Sequence, residues 1–263
     1  MQFYKYDGAG NDFILVDIRE SDPHLDTSRI SHLCHRRFGI GADGLMTLDN
    51  AEGYDFRMTY YNSDGREGSM CGNGGRCIAA FATKLGLGHT DPATGRHSLR
   101  FIAYDGEHTA EMLVWHKEEN FGLVRLRMRD VEASTVRKVE DGWTLDTGSP
   151  HYVVRVDDLQ HFDVVGVGRR LRNRSDLFPQ GTNVDFIEDL PDGRLMVRTY
   201  ERGVEDETYA CGTGVTACAI VSGNRKLTTL GGDFKVEFNP TGDKYEEVWL
   251  TGPVSLNFEG VTL

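Results

Sequence analysis

Stretches in which apolar and polar residues alternate run along most of the chain, and they predict a protein built mainly of β-strands. Successive side chains of a strand point to opposite faces, so this alternation is typical of strands with one buried face. Asp105-Gly106 and Asp192-Gly193 lie between consecutive stretches and predict hairpin turns. The predicted strands are FYKY, DFILVD, DFRMTYY, SLRFIAYD, HTAEMLVWH, GLVRLRMRD, HYVVRV, NVDFIED, RLMVRTYE, FKVEF and EVWLTG.

Three segments have the pattern of helices. The first begins after Thr27 or Ser28 as the N-cap, runs through RISHLCHRR and ends near Gly39. The other two, GNGGRCIAAFATKL and GTGVTACAIVSG, are apolar on nearly all sides, which is typical of a buried helix. We expect the following glycines to end these two helices: Gly86, Gly88 and Gly223.

The two apolar helices open with the same Cys-Gly-x-Gly sequence, at Cys71 and at Cys211. The strand before the first ends in YYNSDG and the strand before the second in TYERGV, so that Asn62 and Arg202 each lie 9 residues before their cysteine. A fainter pair is GNDFILVD and TNVDFIED. The repeat predicts two related lobes of similar plan.

The change from one lobe to the other is predicted near WHKEENFG, residues 115–122. This gives an N-terminal lobe over residues 1–117 and a C-terminal lobe over residues 118–253. The final segment, residues 254–263, is expected to return to the N-terminal lobe.

Composition narrows the possible partners and the compartment. The chain carries 29 Lys and Arg against 41 Asp and Glu, a net charge of −12, which argues against a nucleic-acid partner. It lacks the run of about 18 apolar residues that a membrane span needs. Its first residues include Lys5 and Asp7 and indicate a strand rather than a signal peptide. Five cysteines, an odd number, indicate thiols in a reducing compartment, the cytoplasm.

The repeated cysteines predict acid–base chemistry. A helix N-terminus offers unpaired N–H groups and a partial positive charge, which bind an anion and lower the pKa of a nearby thiol. Two such helices facing one cleft would hold a carboxylate between them, with one sulfur on each side of the neighbouring carbon. One sulfur would remove the α-proton and the other would return a proton to the opposite face. Neither pyridoxal phosphate nor a metal is required for that inversion.

Five fragments in the same order along the chain make the sequence resemble the diaminopimelate epimerase family: GAGNDF, GIGADG, MCGNGGRC, GTNVDF and ERGVEDETYACGTG. The resemblance implies an α/β (α+β) fold of two pseudo-symmetric lobes, each a barrel-like, mostly antiparallel sheet around a buried central helix, with the active site in the interlobe cleft. It implies a homodimer and a cofactor-independent isomerase that interconverts LL- and meso-2,6-diaminoheptanedioate in lysine and peptidoglycan biosynthesis.

The resemblance also assigns roles to residues. Cys71 and Cys211 would be the acid–base pair, and Glu201 and His151 would flank the reacting centre, tuning the thiols or meeting the α-ammonium group. The backbone of four residues would hold the reacting carboxylate: Gly72, Asn73, Gly212 and Thr213. Four side chains would bind the distal amino acid end: Asn11, Asn62, Asn183 and Arg202.

Two positions depart from the pattern of many family members. Ser149 stands where many have asparagine before Pro-His, and Gly44 stands where some have glutamine. Both departures concern substrate binding rather than proton transfer.

Two other functions stay open at this point. A proline or hydroxyproline racemase would share the two-cysteine chemistry, but such enzymes typically have histidine where this chain has Asn73. A dithiol redox or metal-binding protein is the remaining alternative, although the chain lacks a C-x₂-C pair. The other three cysteines are interpreted as core residues: Cys34, Cys77 and Cys218.

Overall fold

A computed structural model describes residues 1–262 of the chain. These residues form two compact units. The first comprises Met1–Leu126 together with the chain from Gly252 onward, and the second comprises Arg127–Thr251. None of the helices within residues 1–262 is both long and apolar enough to cross a membrane.

Most strands of the first unit form antiparallel pairs. The unit also contains two helices and the second half of the last strand. Its elements in chain order are β1 (Gln2–Gly8), β2 (Asn11–Asp17), α1 (Thr27–Cys34), β3 (Gly44–Asp49), β4 (Phe56–Asn62), β5 (Glu67–Gly68), α2 (Gly72–Lys84), β6 (His89–Thr90), β7 (His97–Ala103), β8 (Gly106–His116) and β9 (Phe121–Arg127).

The second unit is built in the same way. Its elements are β10 (Val131–Glu132), β11 (Arg137–Val139), β12 (Gly142–Asp146), β13 (Pro150–Arg155), α3 (Val164–Arg172), β14 (Asn183–Asp189), β15 (Leu195–Glu201), β16 (Asp206–Thr208), α4 (Gly212–Ser222), β17 (Lys226–Thr229), β18 (Gly232–Pro240) and the first half of β19 (Lys244–Val261).

The sheet of the first unit closes on itself. Its strands pair in the order β1, β2, β3, β4, β7, β8, β9 and the second half of β19, which pairs back with β1. The β2–β3 and β4–β7 pairs are parallel and the others are antiparallel. Closure leaves no open sheet edge among these strands.

Helix α2 fills this barrel. It packs against β1, β2, β3 and β8, and every residue from Gly72 to Ala82 is buried. A helix can be buried all round only if its side chains are small or apolar, which explains why GNGGRCIAAFA is so poor in charge. Helix α1 packs on the outer face of the sheet, where Ile30 and Leu33 meet Ile14 and Val16.

The second unit repeats the same order of pairing. Strands β12, β13, β14, β15, β17, β18 and β19 follow one another, with β13–β14 and β15–β17 parallel. Helix α4 packs inside against six of these strands, and α3 lies outside against β14 and β15. These features confirm the predicted fold class, a barrel-like, mostly antiparallel sheet around a buried helix in each unit.

The strand registers correct one detail of the predicted repeat. Gly44 pairs with Asn62 in the first unit, and Val184 pairs with Tyr200 in the second, which places Asn183 opposite Glu201. Asn62 therefore corresponds to Glu201, not to Arg202. The turn after β15 is one residue longer than the turn after β4, because Tyr61 pairs with Glu67 whereas its counterpart Tyr200 pairs with Glu207.

Three local predictions are also corrected. The N-cap of α1 is Asp26, whose carboxylate accepts from the Arg29 N–H at 2.8 Å, and the helix ends at Cys34 rather than near Gly39. The hairpin between β7 and β8 turns at residues 104–105, because Ala103 pairs with Gly106. Helix α3 was not predicted at all.

Candidate active site

Cys71 is the N-cap residue of α2. Its backbone is extended (φ −111°, ψ 152°), and its Sγ accepts a hydrogen bond from the Gly74 N–H at 3.3 Å. Side-chain acceptance at the N-cap satisfies one of the free N–H groups of the first turn. The sulfur is thus held at the positive end of a buried helix, the position that the sequence predicted for it.

Asn11 lies beside Cys71 and is held in place by Asp43. Its Nδ2 donates to Asp43 Oδ2 at 2.6 Å, and its Oδ1 accepts from the Cys71 thiol at 3.9 Å. The amide therefore has a fixed orientation, with its oxygen toward the sulfur. Asp43 comes from the GIGADG segment, which gives that segment a structural purpose that the sequence analysis did not find.

Asp12 fixes the other side of the same cluster. Burial alone would raise the pKa of Asp12, but hydrogen bonds from Arg36 and Lys5 outweigh it and hold that pKa below its usual range. Arg36 also bonds Asp43 at 2.7 Å. Two cations and two carboxylates thus anchor the loop that presents Asn11.

Arg76 is fully buried in the first turns of α2. Its guanidinium donates to the Gly72 carbonyl at 3.2 Å and to Asn73 Oδ1 at 3.0 Å. Burial lowers the pKa of Arg76 to about 10, and the charges of Cys77 and Cys71 act in the opposite direction. The side chain of Asn73 is therefore bound to Arg76, while its backbone belongs to the helix start that was predicted to bind a carboxylate.

Asn62 ends β4. Its Nδ2 donates to the Arg66 carbonyl at 3.4 Å across the turn that leads to β5. The side chain is exposed, and a Cβ added at Gly68 would lie 2.8 Å from Asn62 Nδ2, so a larger residue there would displace the Asn62 amide. Asn62 is thus a polar group on the surface at a strand end.

Cys211 is the N-cap residue of α4 and has the same extended backbone (φ −109°, ψ 112°). It is 7% exposed, and its Sγ lies 3.4 Å from Thr213 Oγ1. Burial, followed by the negative charges of Glu201 and Asp185, raises the pKa of the Cys211 thiol well above its usual range. The influence of Glu201 shows that this carboxylate lies near the sulfur.

His151 is buried behind Thr213. Its Nδ1 lies 2.7 Å from Asp185 Oδ2 and its Nε2 lies 2.9 Å from Thr213 Oγ1. Asp185 also accepts from Thr199 Oγ1 at 2.7 Å. The predicted residues His151 and Cys211 are therefore joined through the side chain of Thr213.

Asn183 ties together three parts of the second unit. Its Nδ2 donates to Ser149 Oγ at 2.9 Å and to the Pro150 carbonyl at 3.0 Å, and its Oδ1 accepts from the Arg202 N–H at 2.9 Å. Ser149 is thus an acceptor for Asn183. The Arg202 guanidinium donates to the Gln180 carbonyl at 3.3 Å.

The structure places all of the predicted residues except Asn62 in two groups, one in each unit. Asn11, Gly72 and Asn73 lie with Cys71 at the start of α2. A second set lies around the start of α4: His151, Asn183, Glu201, Arg202, Gly212, Thr213 and Cys211.

Sequence reasoning missed four contributors: Asp43, Arg76, Asp185 and the Thr213 hydroxyl. Asp43, Arg76 and Asp185 lie inside the fragments GIGADG, MCGNGGRC and GTNVDF. A charged residue within an otherwise apolar helix was the available signal for Arg76, because a buried charge needs partners.

The other three cysteines are core residues, as predicted. Cys34 is 2% exposed, and Cys77 and Cys218 are fully buried. Burial raises the pKa of Cys34 to about 11 and raises the pKa values of the other two well above their usual range. None of these three thiols lies at a helix N-terminus, which separates them from Cys71 and Cys211. Within the described residues, no group of three His, Cys, Asp or Glu side chains is placed to hold a metal ion.

Two solved structures are similar to this chain in fold. A hydroxyproline epimerase from Agrobacterium vitis matches with a TM-score of 0.64 and 15% identity, covering 99% of this chain and 91% of that chain. A phenazine biosynthesis protein of the PhzF family from Bacillus anthracis matches with a TM-score of 0.65 and 14% identity, covering 100% and 99%. At such low identity these matches show the fold alone.

Sequence relatives are more specific. The sequence model of diaminopimelate epimerase matches residues 3–118 and 143–256. A diaminopimelate epimerase from Flavobacterium psychrophilum is 43% identical over 98% of this chain and 99% of its own length. One from Aquifex aeolicus is 36% identical over 99% and 97%. Together with the two cysteine-capped helices, these matches show that the chain belongs to the diaminopimelate epimerase family.

Proposed function

We propose that the chain inverts the α-carbon of 2,6-diaminoheptanedioate, between the LL and meso forms, with Cys71 and Cys211 as the acid and base. Its family makes the chain an isomerase with diaminopimelate epimerase function. One observation carries the assignment of the two residues. Both cysteines are the N-cap residue of a buried helix, at equivalent positions of two units with the same strand order.

The helix starts explain how thiols can do this work without a cofactor. Removal of the α-proton sends negative charge onto the substrate carboxylate. The N–H groups of Gly72 and Asn73, and of Gly212 and Thr213, would bind that charge more strongly as it grows. The same dipoles favour a thiolate on whichever sulfur acts as the base. We infer that neither pyridoxal phosphate nor a metal takes part.

The remaining predicted residues fit recognition of a substrate with a second amino acid end. Arg202 can grip a carboxylate with two hydrogen bonds, and Asn11 and Asn62 offer amide groups near strand ends. Asn183 supports Ser149 and the Arg202 backbone, so its contribution is to position them. Glu201, beside Cys211, is suited to meet the α-ammonium group.

Further parts of the proposal come from the family resemblance. We propose that the two compact units are the two lobes and that the protein works as a cytoplasmic homodimer in lysine and peptidoglycan biosynthesis. The acidic net charge of −12 supports a small-molecule substrate rather than a nucleic acid. A proline-type racemase reaction is less well supported, since a cyclic substrate with one carboxylate would leave Arg202 without a distal carboxylate.

The direct test is incubation of the purified protein with LL-diaminopimelate, without added cofactor, in deuterated water. We expect chiral chromatography to show the meso isomer, and mass spectrometry to show solvent deuterium at the inverted carbon. A protein that leaves LL-diaminopimelate unchanged but racemises proline would contradict the proposed substrate.

The roles of the two cysteines are tested by single substitutions. Cys71→Ala and Cys211→Ala should each lower the rate by roughly 10² to 10⁴ or more, because general acid–base catalysis contributes about that factor. Cys34→Ala is the matched control, since Cys34 packs in the layer between α1 and the sheet. Full activity in either variant of the pair would rule out the two-base mechanism.

A further inference from the structure

We propose that Asp185 is a positioning residue for Cys211: it fixes the proton on Nδ1 of His151, so that Nε2 exchanges a proton with Cys211 through the Thr213 hydroxyl. The inference rests on the proposed function only in giving Cys211 an acid–base role. It adds a connected path for the proton of one of the two thiols and assigns the path to side chains of the second unit.

The path is continuous in distance. Cys211 Sγ lies 3.4 Å from Thr213 Oγ1, which lies 2.9 Å from His151 Nε2. His151 Nδ1 then lies 2.7 Å from Asp185 Oδ2. The side chains of His151 and Asp185 are 0% exposed, so water does not compete for these hydrogen bonds.

The partners of Asp185 fix the direction of the hydrogen bonds. An ionised carboxylate only accepts, and Asp185 accepts from Thr199 at one oxygen and from His151 at the other. His151 must then carry its proton on Nδ1, which leaves Nε2 as an acceptor for the Thr213 hydroxyl. Thr213 Oγ1 in turn accepts from the Cys211 thiol.

The same atoms serve when Cys211 becomes a base. The S–H bond of Cys211 breaks as a new O–H bond forms on Thr213, and the original Thr213 O–H bond breaks as an N–H bond forms on His151 Nε2. The products are a thiolate and an imidazolium, and Asp185 stabilises the imidazolium. The return of the proton reverses both steps, so no proton is gained or lost overall.

This path answers a problem that the surroundings of Cys211 create. Burial and the charges of Glu201 and Asp185 raise the pKa of its thiol, which opposes formation of a thiolate. A nearby carboxylate would therefore hinder the base unless it also provides a place for the proton. Through His151, Asp185 provides one.

The first unit supplies an internal comparison. The strand registers place Phe13, Met46 and Tyr60 where the second unit has His151, Asp185 and Thr199. The helices agree with this match, since a Cβ added at Gly74 would meet Met46 Sδ and one added at Gly214 would meet Asp185 Oδ1. At these three positions the first unit has phenylalanine, methionine and tyrosine, in place of the histidine, aspartate and threonine of the second unit.

The test compares the two cysteines in one protein. Asp185→Asn removes the charge but keeps the shape, and an asparagine amide can donate to Nδ1, which moves the His151 proton to Nε2. We expect nitrogen-15 NMR of the histidines to show that change of tautomer. We also expect iodoacetamide to alkylate Cys211 at about one tenth of the parent rate or less across pH 7–9. The rate at Cys71 should be unchanged, and mass spectrometry of the two peptides measures both rates.

A purely electrostatic role for Asp185 predicts the opposite sign. Loss of a negative charge would lower the pKa of the Cys211 thiol and speed its alkylation. Faster or unchanged alkylation of Cys211, an unchanged tautomer, or equal slowing at Cys71 would each overturn the proposal. Thr216→Val is the matched control, because Thr216 is a buried hydroxyl of α4 that bonds the Gly212 carbonyl at 2.9 Å and lies off the path.

Thr213 provides a second test if Asp185→Asn does not fold. Thr213→Val should slow alkylation of Cys211 as Asp185→Asn does, and Thr213→Ser, which keeps the hydroxyl, should restore the original rate. Slow alkylation of Cys211 in Thr213→Ser, or fast alkylation in Thr213→Val, would overturn the proposal. Because alkylation needs no substrate, these results stand apart from the epimerase assay, and a protein inactive on diaminopimelate would refute the proposed function alone.

Discussion

At the scale of single residues, the third residue of both α2 and α4 is a glycine, and the two glycines have different neighbours. A Cβ added at Gly214 would lie 2.4 Å from Asp185 Oδ1, and one added at Gly74 would lie 3.2 Å from Met46 Sδ. Asp185 is short, buried and bound on both oxygens, so it cannot move away. Methionine is flexible and can repack.

Gly214→Ala should therefore lower the free energy of unfolding by about 1–3 kcal/mol, the usual cost of overpacking. Gly74→Ala should cost less than about 1 kcal/mol, since alanine also favours the helix. The measurement is urea unfolding of both variants against the parent protein. Equal losses would contradict the view that Asp185 is rigidly held.

The residue scale is also where the sequence was most and least informative. Cys71 and Cys211 were found because the Cys-Gly-x-Gly repeat marks them. Asp185 was not, because a single acidic residue in NVDFIED also fits the exposed position of an alternating strand. Its burial depends on both faces of β14 being covered, by α4 inside and α3 outside, and a strand pattern does not report that.

At the scale of elements, α4 ends on a residue that only glycine adopts easily. Gly223 has φ +76° and ψ −4°, and its N–H bonds the Ala219 carbonyl at 2.9 Å. Nothing lies within 4 Å of an added Cβ, so a substitution there tests the backbone alone.

Gly223→Ala should lower the free energy of unfolding by about 1–2 kcal/mol, because an L-residue in the left-handed region costs about that much. Gly223→Asn should cost less, since asparagine tolerates this conformation. Denaturant unfolding measures both, and hydrogen exchange of the last turn of α4 locates the effect. An alanine variant as stable as the asparagine variant would contradict the C-cap assignment.

Helix prediction succeeded where burial and composition agreed. The two apolar helices begin at Gly72 and Gly212, as the sequence indicated. Helix α3 was missed because VVGVGRRLR is rich in β-branched residues and glycine, which disfavour helices. Packing overrides that preference: a Cβ at Gly168 would lie 2.4 Å from Tyr200 Cβ, so the helix can reach the sheet only with glycine there.

At the scale of the whole molecule, linear spacing misled the comparison of the two halves. Counting back from each cysteine matched Asn62 with Arg202, whereas the sheet registers match it with Glu201. A single extra residue in one turn causes the difference, and it is invisible until strands are paired. The shared strand order, by contrast, was foreseeable, because both halves contain the same motif at the start of a buried helix.

The last strand links the two ends of the chain. In the first unit, β1 pairs with residues 255–261 of β19 and β9 pairs with residues 252–255, and Val254 is fully buried there. The Met1 amino group also donates to the Thr262 carbonyl at 3.2 Å. The barrel of the first unit is therefore closed by a strand that follows the second unit in the sequence.

A chain ending at Thr251 should leave β1 and β9 as unpaired edges and lose the buried side chains of β19. We expect it to aggregate, as exposed edges do, and to lose hydrogen-exchange protection in β1 and β9. A chain ending at Phe258 is the graded control: it keeps the β9 pairs and the partners of Lys5, Tyr6 and Asp7, and loses only those of residues 2–4. It should stay soluble with reduced stability. If the shorter chain kept full protection in both strands, closure by β19 would not be what holds the first barrel together.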